Sequence, residues 1–229
     1  MATTRSETAP PKAAVPSSAA ARGDSLIDWM QVNSRLLSIG AAIIVVAAVG
    51  YWFYLRSTQL KALNAERSLL TAQQSLGSGN AQLAQSDLQK VVARYSGTPA
   101  GVEAALLLAQ LDYDAGKYQE GITVLQKAAS EATEGTLPSV YGLIGDGYSQ
   151  MGKPADAAKH YVQAADAAAF DNEKAYQRSK AARSYASAGN VQEAKKIWSA
   201  LATDPKAEAV AAEARVRLAE LEAKPAGRT

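Results

Sequence analysis

Three stretches of this chain can be laid over one another on a glycine held between two helical patterns. The first reads ALLLAQLDYDAGKYQEGITVLQKA, from Ala105 to Ala128. The second, YGLIGDGYSQMGKPADAAKHYVQA, runs from Tyr141 to Ala164, and the third, RSKAARSYASAGNVQEAKKIWSAL, from Arg178 to Leu201. The shared glycines are Gly116, Gly152 and Gly189, spaced by 36 and 37 residues. A weaker copy centres on Gly79, 37 residues upstream, with Ala72, Ala84 and Leu88 in register. A period of this size is the mark of a repeat architecture, in which each unit is too small to bury its own apolar face and does so against its neighbours. Glycine at the centre suits the left-handed conformation that ends a helix. Small residues fall where two helices must approach, at Ala109, Gly145 and Ala182 on first helices and Gly121, Ala157 and Ala194 on second helices. Leu108, Ile144, Tyr148, Tyr185, Leu125, Tyr161 and Trp198 fill the remaining space. With 49 Ala and only two Phe, the chain is helix-prone and finely packed. A last helix from about Lys206 to Ala223 offers Val210, Val216, Leu218 and Leu221 to cover the final unit.

A second feature lies ahead of the repeats. From Leu36 to Leu55 the chain reads LLSIGAAIIVVAAVGYWFYL, 20 residues without a charge. At about 1.5 Å per residue a helix of that length spans roughly 30 Å, the thickness of a bilayer core. Arg35 and Arg56 fence it, and Tyr51, Trp52, Phe53 and Tyr54 gather at its C-terminal end, as in an aromatic interface belt. A buried core helix rarely runs so far with one Ser as its only polar group. A cleaved signal peptide has a shorter apolar run and small residues at its end. The segment is therefore expected to be a retained single-pass anchor, with Trp29, Tyr51, Trp52 and Tyr54 at the lipid–water interface. Arg22 and Arg35 on one side against Arg56, Lys61 and Arg67 on the other do not set the orientation by charge. Gly40 and Gly50 are not at GxxxG spacing.

The expected organisation follows. Residues 1–24, rich in Ala, Pro, Ser and Thr, form a disordered tail. Residues 25–35 form an amphipathic juxtamembrane segment, with Ser25 as cap, Asp28 three residues on, and Leu26, Trp29 and Met30 on one face; an early start of the membrane helix is the alternative. Residues 36–55 form the membrane helix, 56–223 the solenoid, and 224–229 a tail. The fold class is all-α: one N-terminal transmembrane helix followed by a helix-pair solenoid.

Chemistry is excluded more than it is suggested. The absence of Cys removes disulfides, thiolate metal sites and cysteine nucleophiles. The one histidine, His160, excludes any site needing two. Gly77-Ser78-Gly79-Asn80 is a helix–helix turn and not a phosphate-binding loop. Glu131 and Glu134 flank a solvated loop. With 24 Lys+Arg against 22 Asp+Glu, composition points to no nucleic-acid partner. No catalytic residue, cofactor or metal is expected, and a minor alternative is an enzyme using His160 with a nearby acid.

Tyr141, Ile144, Gly145, Tyr148, Gly152, Ala157, Tyr161 and Ala164 occupy the signature positions of the tetratricopeptide repeat, which the chain resembles. The repeats here are two or three residues longer, and the terminal Pro is absent or displaced, as at Pro205. The resemblance implies a groove lined by first helices. Carried over, its positions are Glu103, Leu106, Gln110, Tyr113 and Asp114, then Ser139, Gly142, Asp146, Ser149 and Gln150, then Tyr176, Ser179, Arg183, Ala186 and Ser187. Gln110, Tyr113, Asp146, Tyr176 and Arg183 are the candidate protein-binding residues. This set lacks the Lys/Asn-rich clamp that grips C-terminal carboxylates. The basic run Lys174, Arg178, Lys180 and Arg183 reads first as a solvated face.

Over residues 24–222 the chain is also similar to the YfgM-type ancillary subunits of the bacterial Sec translocon. The residues that carry this are DSLIDWMQVNSR, YWFYLR and YSGTPAGVEAALLLAQLDYDAGKYQEGITVL, where a Tyr-Ser-Gly-Thr-Pro turn enters an Ala/Leu-rich helix. The resemblance implies an inner-membrane protein with a periplasmic solenoid. It also implies association with the SecYEG channel and periplasmic folding factors, and a part in handing over translocated chains. The alternative is a membrane-tethered scaffold that sequesters a signalling protein, with the solenoid in the cytoplasm. Ala-rich repeats stack well on copies of themselves, so self-association is compatible with either.

Overall fold

The computed structural model describes Trp29 and residues 32–223. The expected tails at 1–24 and 224–229, and Ser25, Leu26, Asp28 and Met30 of the juxtamembrane segment, lie outside the described residues. All regular structure among the described residues is helical. The helices are α1 (Ser34–Gly77), α2 (Ala81–Tyr95), α3 (Pro99–Asp114), α4 (Tyr118–Ala129), α5 (Leu137–Gln150), α6 (Pro154–Ala167), α7 (Asp171–Ser187), α8 (Val191–Thr203) and α9 (Glu208–Ala223). A short 3₁₀ turn, Pro205–Ala207, precedes α9. The chain divides into two compact units between Ser57 and Thr58.

In the first unit, α1 is the one helix among the described residues that is long and apolar enough to cross a membrane, and none of its apolar window is buried. Ile39, Ile43, Val46, Val49, Tyr51, Trp52, Phe53 and Tyr54 are all exposed, as is Trp29. A core helix would bury one face, and this segment does not.

The second unit is a solenoid of helix pairs. Residues 58–77 of α1 pair with α2, α3 with α4, α5 with α6 and α7 with α8, and α9 closes the array. Each pair turns on one of the four glycines recognised by their spacing. Their φ angles are +78° at Gly79, +74° at Gly116, +68° at Gly152 and +79° at Gly189. The hydrogen bonds repeat as well. Gly116 N–H donates to Tyr113 O at 2.9 Å and Lys117 N–H to Asp112 O at 2.7 Å. The same two bonds recur at Gly79, Gly152 and Gly189, a Schellman closure that satisfies carbonyls left open at each helix end.

Packing is by nearest neighbours, in four apolar clusters strung along the chain. Ala65, Leu69, Leu88, Val91 and Leu108 join α1 to α3. Val102, Tyr113, Ile122, Leu125 and Ile144 join α3 to α5. Ala157, Tyr161 and Ala181 link α6 to α7. Ala182, Ala194, Trp198, Leu201, Val210 and Ala214 seal α7–α9. The small positions inferred from the repeat are sites of close approach. A Cβ on Gly121 would stand 2.5 Å from the Tyr113 ring, and one on Gly145 2.6 Å from the Tyr161 ring. One expected core residue is corrected: Val216 of α9 is 57% exposed. Val210, Ala211, Ala214 and the partly buried Leu218 and Leu221 line the packed face of α9, and the helical period turns Val216 to the other side.

The Tyr-Ser-Gly-Thr-Pro segment forms a dense corner between α2 and α3. Tyr95 O accepts from Thr98 N–H at 3.1 Å and from Thr98 Oγ1 at 2.7 Å. Thr98 Oγ1 in turn accepts from Gly101 N–H, capping α3, and Pro99 sits in the first turn where no N–H is needed. Gly97 has φ +74° and donates its N–H to Glu131 Oε2 at 2.7 Å, while Lys61 Nζ donates to Ser96 O at 2.9 Å. This corner therefore ties α1 and the α4–α5 loop together.

Candidate protein-interaction face

The first helices of successive pairs are laced along one face by polar contacts, each spanning roughly one repeat. Gln73 Nε2 of α1 donates to Glu103 Oε1 of α3 at 3.1 Å. Lys180 Nζ of α7 donates to Asp146 Oδ1 of α5 at 2.5 Å. Arg183 of α7 makes a two-pronged contact with Glu213 of α9, Nε to Oε1 at 2.7 Å and a terminal nitrogen to Oε2 at 2.6 Å. Arg217 lies 3.7 Å from Glu213 and 3.0 Å from Glu220.

The centre of this face is a layered aromatic–cation site. Tyr161 of α6 lies on Gly145 of α5 and donates its hydroxyl to Asp146 Oδ1 at 2.6 Å. The Lys180 ammonium stands 4.5 Å above the Tyr161 ring and 5.7 Å from the ring of Tyr176, which is half exposed. Burial, and then the Asp146 carboxylate, push the Tyr161 phenol far up, so it stays a donor. The Glu213 carboxyl is held below the usual range, first by its hydrogen bonds from Arg183. A lowered carboxyl contributes stability above its unfolded value near 4.5, and this is lost as pH falls through the folded value. Beyond Arg183 a cleft of about 430 Å³ opens between α7, α8 and α9, floored by Ala186, Trp198 and Leu221.

Of the five candidate residues, Asp146, Tyr176 and Arg183 come together in this patch. Gln110 is exposed one repeat away, donating to Asp114 at 3.1 Å. Tyr113 is a correction, being only 7% exposed. Its ring fills the slot left by Gly121 and Gly147, and its hydroxyl donates to Leu143 O at 3.1 Å. It is a strut between repeats and offers no surface to a partner. Gly142, beneath the Gln177 side chain, and Ser179 are buried as well. Sequence reasoning missed Lys180, Tyr161 and Glu213 as members of the face. The signal was there in part: Asp146 and Lys180 are 34 residues apart, close to one repeat, and opposite in charge.

His160 lies off this face, between two tyrosines. Its ring is 5.2 Å from Tyr148 at an interplanar angle of 5°, and 6.4 Å from Tyr141. Its Nδ1 is buried without a partner among the described residues. Burial holds its pKa below 6.5, against the pull of Gln163 and Asp156. Folding thus favours the neutral ring. This contribution of His160 to stability is complete above pH 6.5 and is lost as pH falls from there towards the lowered folded value. We expect His160→Phe to flatten the loss of melting temperature between pH 7 and 5 while leaving the acid limb below pH 4.5. An unchanged slope between pH 7 and 5 would contradict it.

A family model described as a tetratricopeptide repeat-like domain matches residues 28–143, just over half of the chain. Among solved structures, a putative kinesin light chain with nearly identical TPR-like repeats from Podosopora anserina is 18% identical. The match covers 69% of this chain and 90% of that one, with a TM-score of 0.52. MamA is 21% identical, with 69% and 81% covered and a TM-score of 0.51. A MamA fragment from Desulfovibrio magneticus RS-1 is 16% identical, with 71% and 97% covered and a TM-score of 0.50. These likenesses concern the fold. No curated protein matches the chain.

Proposed function

Because this chain belongs to the tetratricopeptide repeat-like domain family, whose fold is a protein-interaction scaffold and typically non-catalytic, we propose that it is a membrane-tethered adaptor. It holds protein partners on the face built around Asp146, Tyr176, Lys180 and Arg183, and is retained by the apolar stretch of α1. The observation that carries this reading is the coexistence in one chain of a helix-pair solenoid and a 20-residue uncharged segment in which Ile39, Ile43, Val46, Val49, Trp52 and Phe53 are among many exposed large apolar side chains. Such a surface is unstable in water and stable in lipid. Tethering concentrates the solenoid near membrane-bound partners, so modest contacts at Tyr176 and its neighbours suffice.

The partners proposed are Sec translocon subunits and periplasmic folding factors, with the solenoid on the periplasmic side of the inner membrane and a role in handing over translocated chains. Support comes from the sequence similarity over residues 24–222, including the Tyr95–Gly101 corner. The test combines topology and capture. In cells with an opened outer envelope and an intact inner membrane, protease should digest the chain beyond Arg56. A photo-reactive residue at Tyr176 should capture translocon or folding-factor components. Full protection until lysis would overturn the periplasmic reading in favour of a cytoplasmic scaffold that sequesters a signalling protein. Capture without any translocon or folding-factor component would overturn the proposed partners.

A further inference from the structure

We propose that the outer face of α1 between Leu60 and Gln74 docks a second copy of this chain, as a parallel pair of helices. Register with the other repeats shows what is unusual there. Counting back from the turn glycines, Arg67, Leu70 and Gln74 correspond to Ala104, Leu107 and Leu111 in the second repeat and to Val140, Leu143 and Gly147 in the third. Those residues are buried or half-buried against the preceding pair. In the first repeat nothing precedes the pair within this unit. Leu60, Leu63 and Leu70 are 45%, 50% and 57% exposed, on the side of the helix opposite the buried Ala65, Leu69 and Ala72. The opposite end of the solenoid is finished differently: the outer face of α9 presents Glu208, Ala212, Arg215, Ala219 and Glu222, with Val216 its one large apolar group.

The exposed stripe has the spacing of a two-stranded seam and not of a further repeat. Leu60, Leu63, Arg67, Leu70 and Gln74 alternate by three and four, the a and d positions of a heptad pattern. Arg67 stands where the second and third repeats carry Ala104 and Val140 and the fourth carries the buried, uncharged Gln177; a charged guanidinium in its place fits the wider spacing of paired helices better than burial between repeats. In a parallel pair an a-position cation reaches the preceding g position of its partner, and that position is Glu66. Glu66 and Arg67 are both exposed and have no ion-pair partner among the described residues. The pairing is thus complementary in charge as well as apolar. On the α2 side the stripe gives way to a cleft of about 200 Å³ rimmed by Asp87, Lys90 and Arg94, which keeps the apolar contact narrow. The parallel sense rests on the membrane anchoring proposed above; the pairing itself does not.

The chain has no Cys, so single cysteines report contacts cleanly. The full-length protein in its native membranes, carrying one cysteine in place of Leu60, Leu63, Arg67, Leu70 or Gln74, should give disulfide-linked homodimers on mild oxidation. Cysteine in place of Asn64 or Thr71, exposed but off the stripe, should give several-fold less. Leu63→Lys with Leu70→Lys should abolish the homodimer while leaving helix content and melting temperature intact, because both side chains are exposed in the single chain. Equal adducts at all seven positions, or adducts to a different protein at the stripe, would overturn the proposal. Adducts confined to one position would indicate antiparallel crossing and overturn the parallel sense. Membrane fractionation of the same samples separates this outcome from failure of the anchor.

Discussion

Replacing Trp198 with alanine should remove about 4 kcal/mol of folding stability, within the usual range for truncating a buried aromatic. Trp198 is 1% exposed and is the largest fully buried side chain described. It joins α7, α8 and α9 through Ala175, Ala182, Ala194, Ala207 and Ala214, with Leu201 and Val210 beside it. Alanines have no rotamers with which to fill a void, so the site cannot collapse around the loss and the cost should lie high in the range. Against a typical stability of about 5–15 kcal/mol this is a large fraction. Its distribution is equally telling. In an array held by nearest-neighbour contacts, damage stays near where it is made. Hydrogen exchange should therefore show lost protection in α8 and α9 with α3–α5 nearly unchanged, and urea denaturation should show the C-terminal end releasing first. Loss spread evenly over all helices, or a total below about 1 kcal/mol, would show that Trp198 does not act as this local keystone.

Substituting alanine for Gly101 should cost about 3 kcal/mol, although intrinsic helix preference favours alanine over glycine by about 1 kcal/mol. The steric term wins because of what stands in the way. A Cβ at residue 101 would lie 2.3 Å from the carbonyl oxygen of Tyr95 and 2.9 Å from its carbon. That obstacle is backbone, and it is pinned by two hydrogen bonds from Thr98. Relief requires moving α2 against α3, which disturbs Gly97, its bond to Glu131, and the Lys61–Ser96 contact together. Gly135 is the control: it lies in the α4–α5 loop, its φ is not positive, and a Cβ there meets nothing within 4 Å. Gly135→Ala should change thermal stability little. Equal melting temperatures for the two variants would refute the tight corner.

The difference between these glycines shows where sequence reasoning stops. Gly116, Gly152 and Gly189 were legible because they recur at a fixed spacing and a helix turn demands a left-handed residue there. Gly101 recurs nowhere, and its role comes from the folded corner that turns the Tyr95 carbonyl, six residues earlier, back onto it. The anchor candidate was legible for a different reason: an uncharged run of 20 residues is a property of composition and needs no neighbours. Small residues at Gly121 and Gly145 announced that something approaches closely, without saying what.

Spacing and chemistry along the chain thus determined the helix pairs, their four left-handed turns, the stripes of small residues and the separate apolar segment. Each is a local or periodic property, set by backbone conformation and by the arithmetic of the repeat. Only the tertiary structure decided who fills the space between repeats. Position in the repeat puts Tyr113 on the open face, yet it turns inward because Gly121 and Gly147 leave a slot of its shape. Hydrophobicity alone puts Val216 in the core, yet it falls on the side of α9 opposite Val210, Ala214 and Leu218 and stays outside. Lys180 looked like one more solvated charge until Asp146 and Tyr161, from two other helices, gave it partners. A periodic pattern specifies which side of a helix meets its neighbour. The volume and polarity found there belong to residues a repeat away, and those come together only in the folded chain.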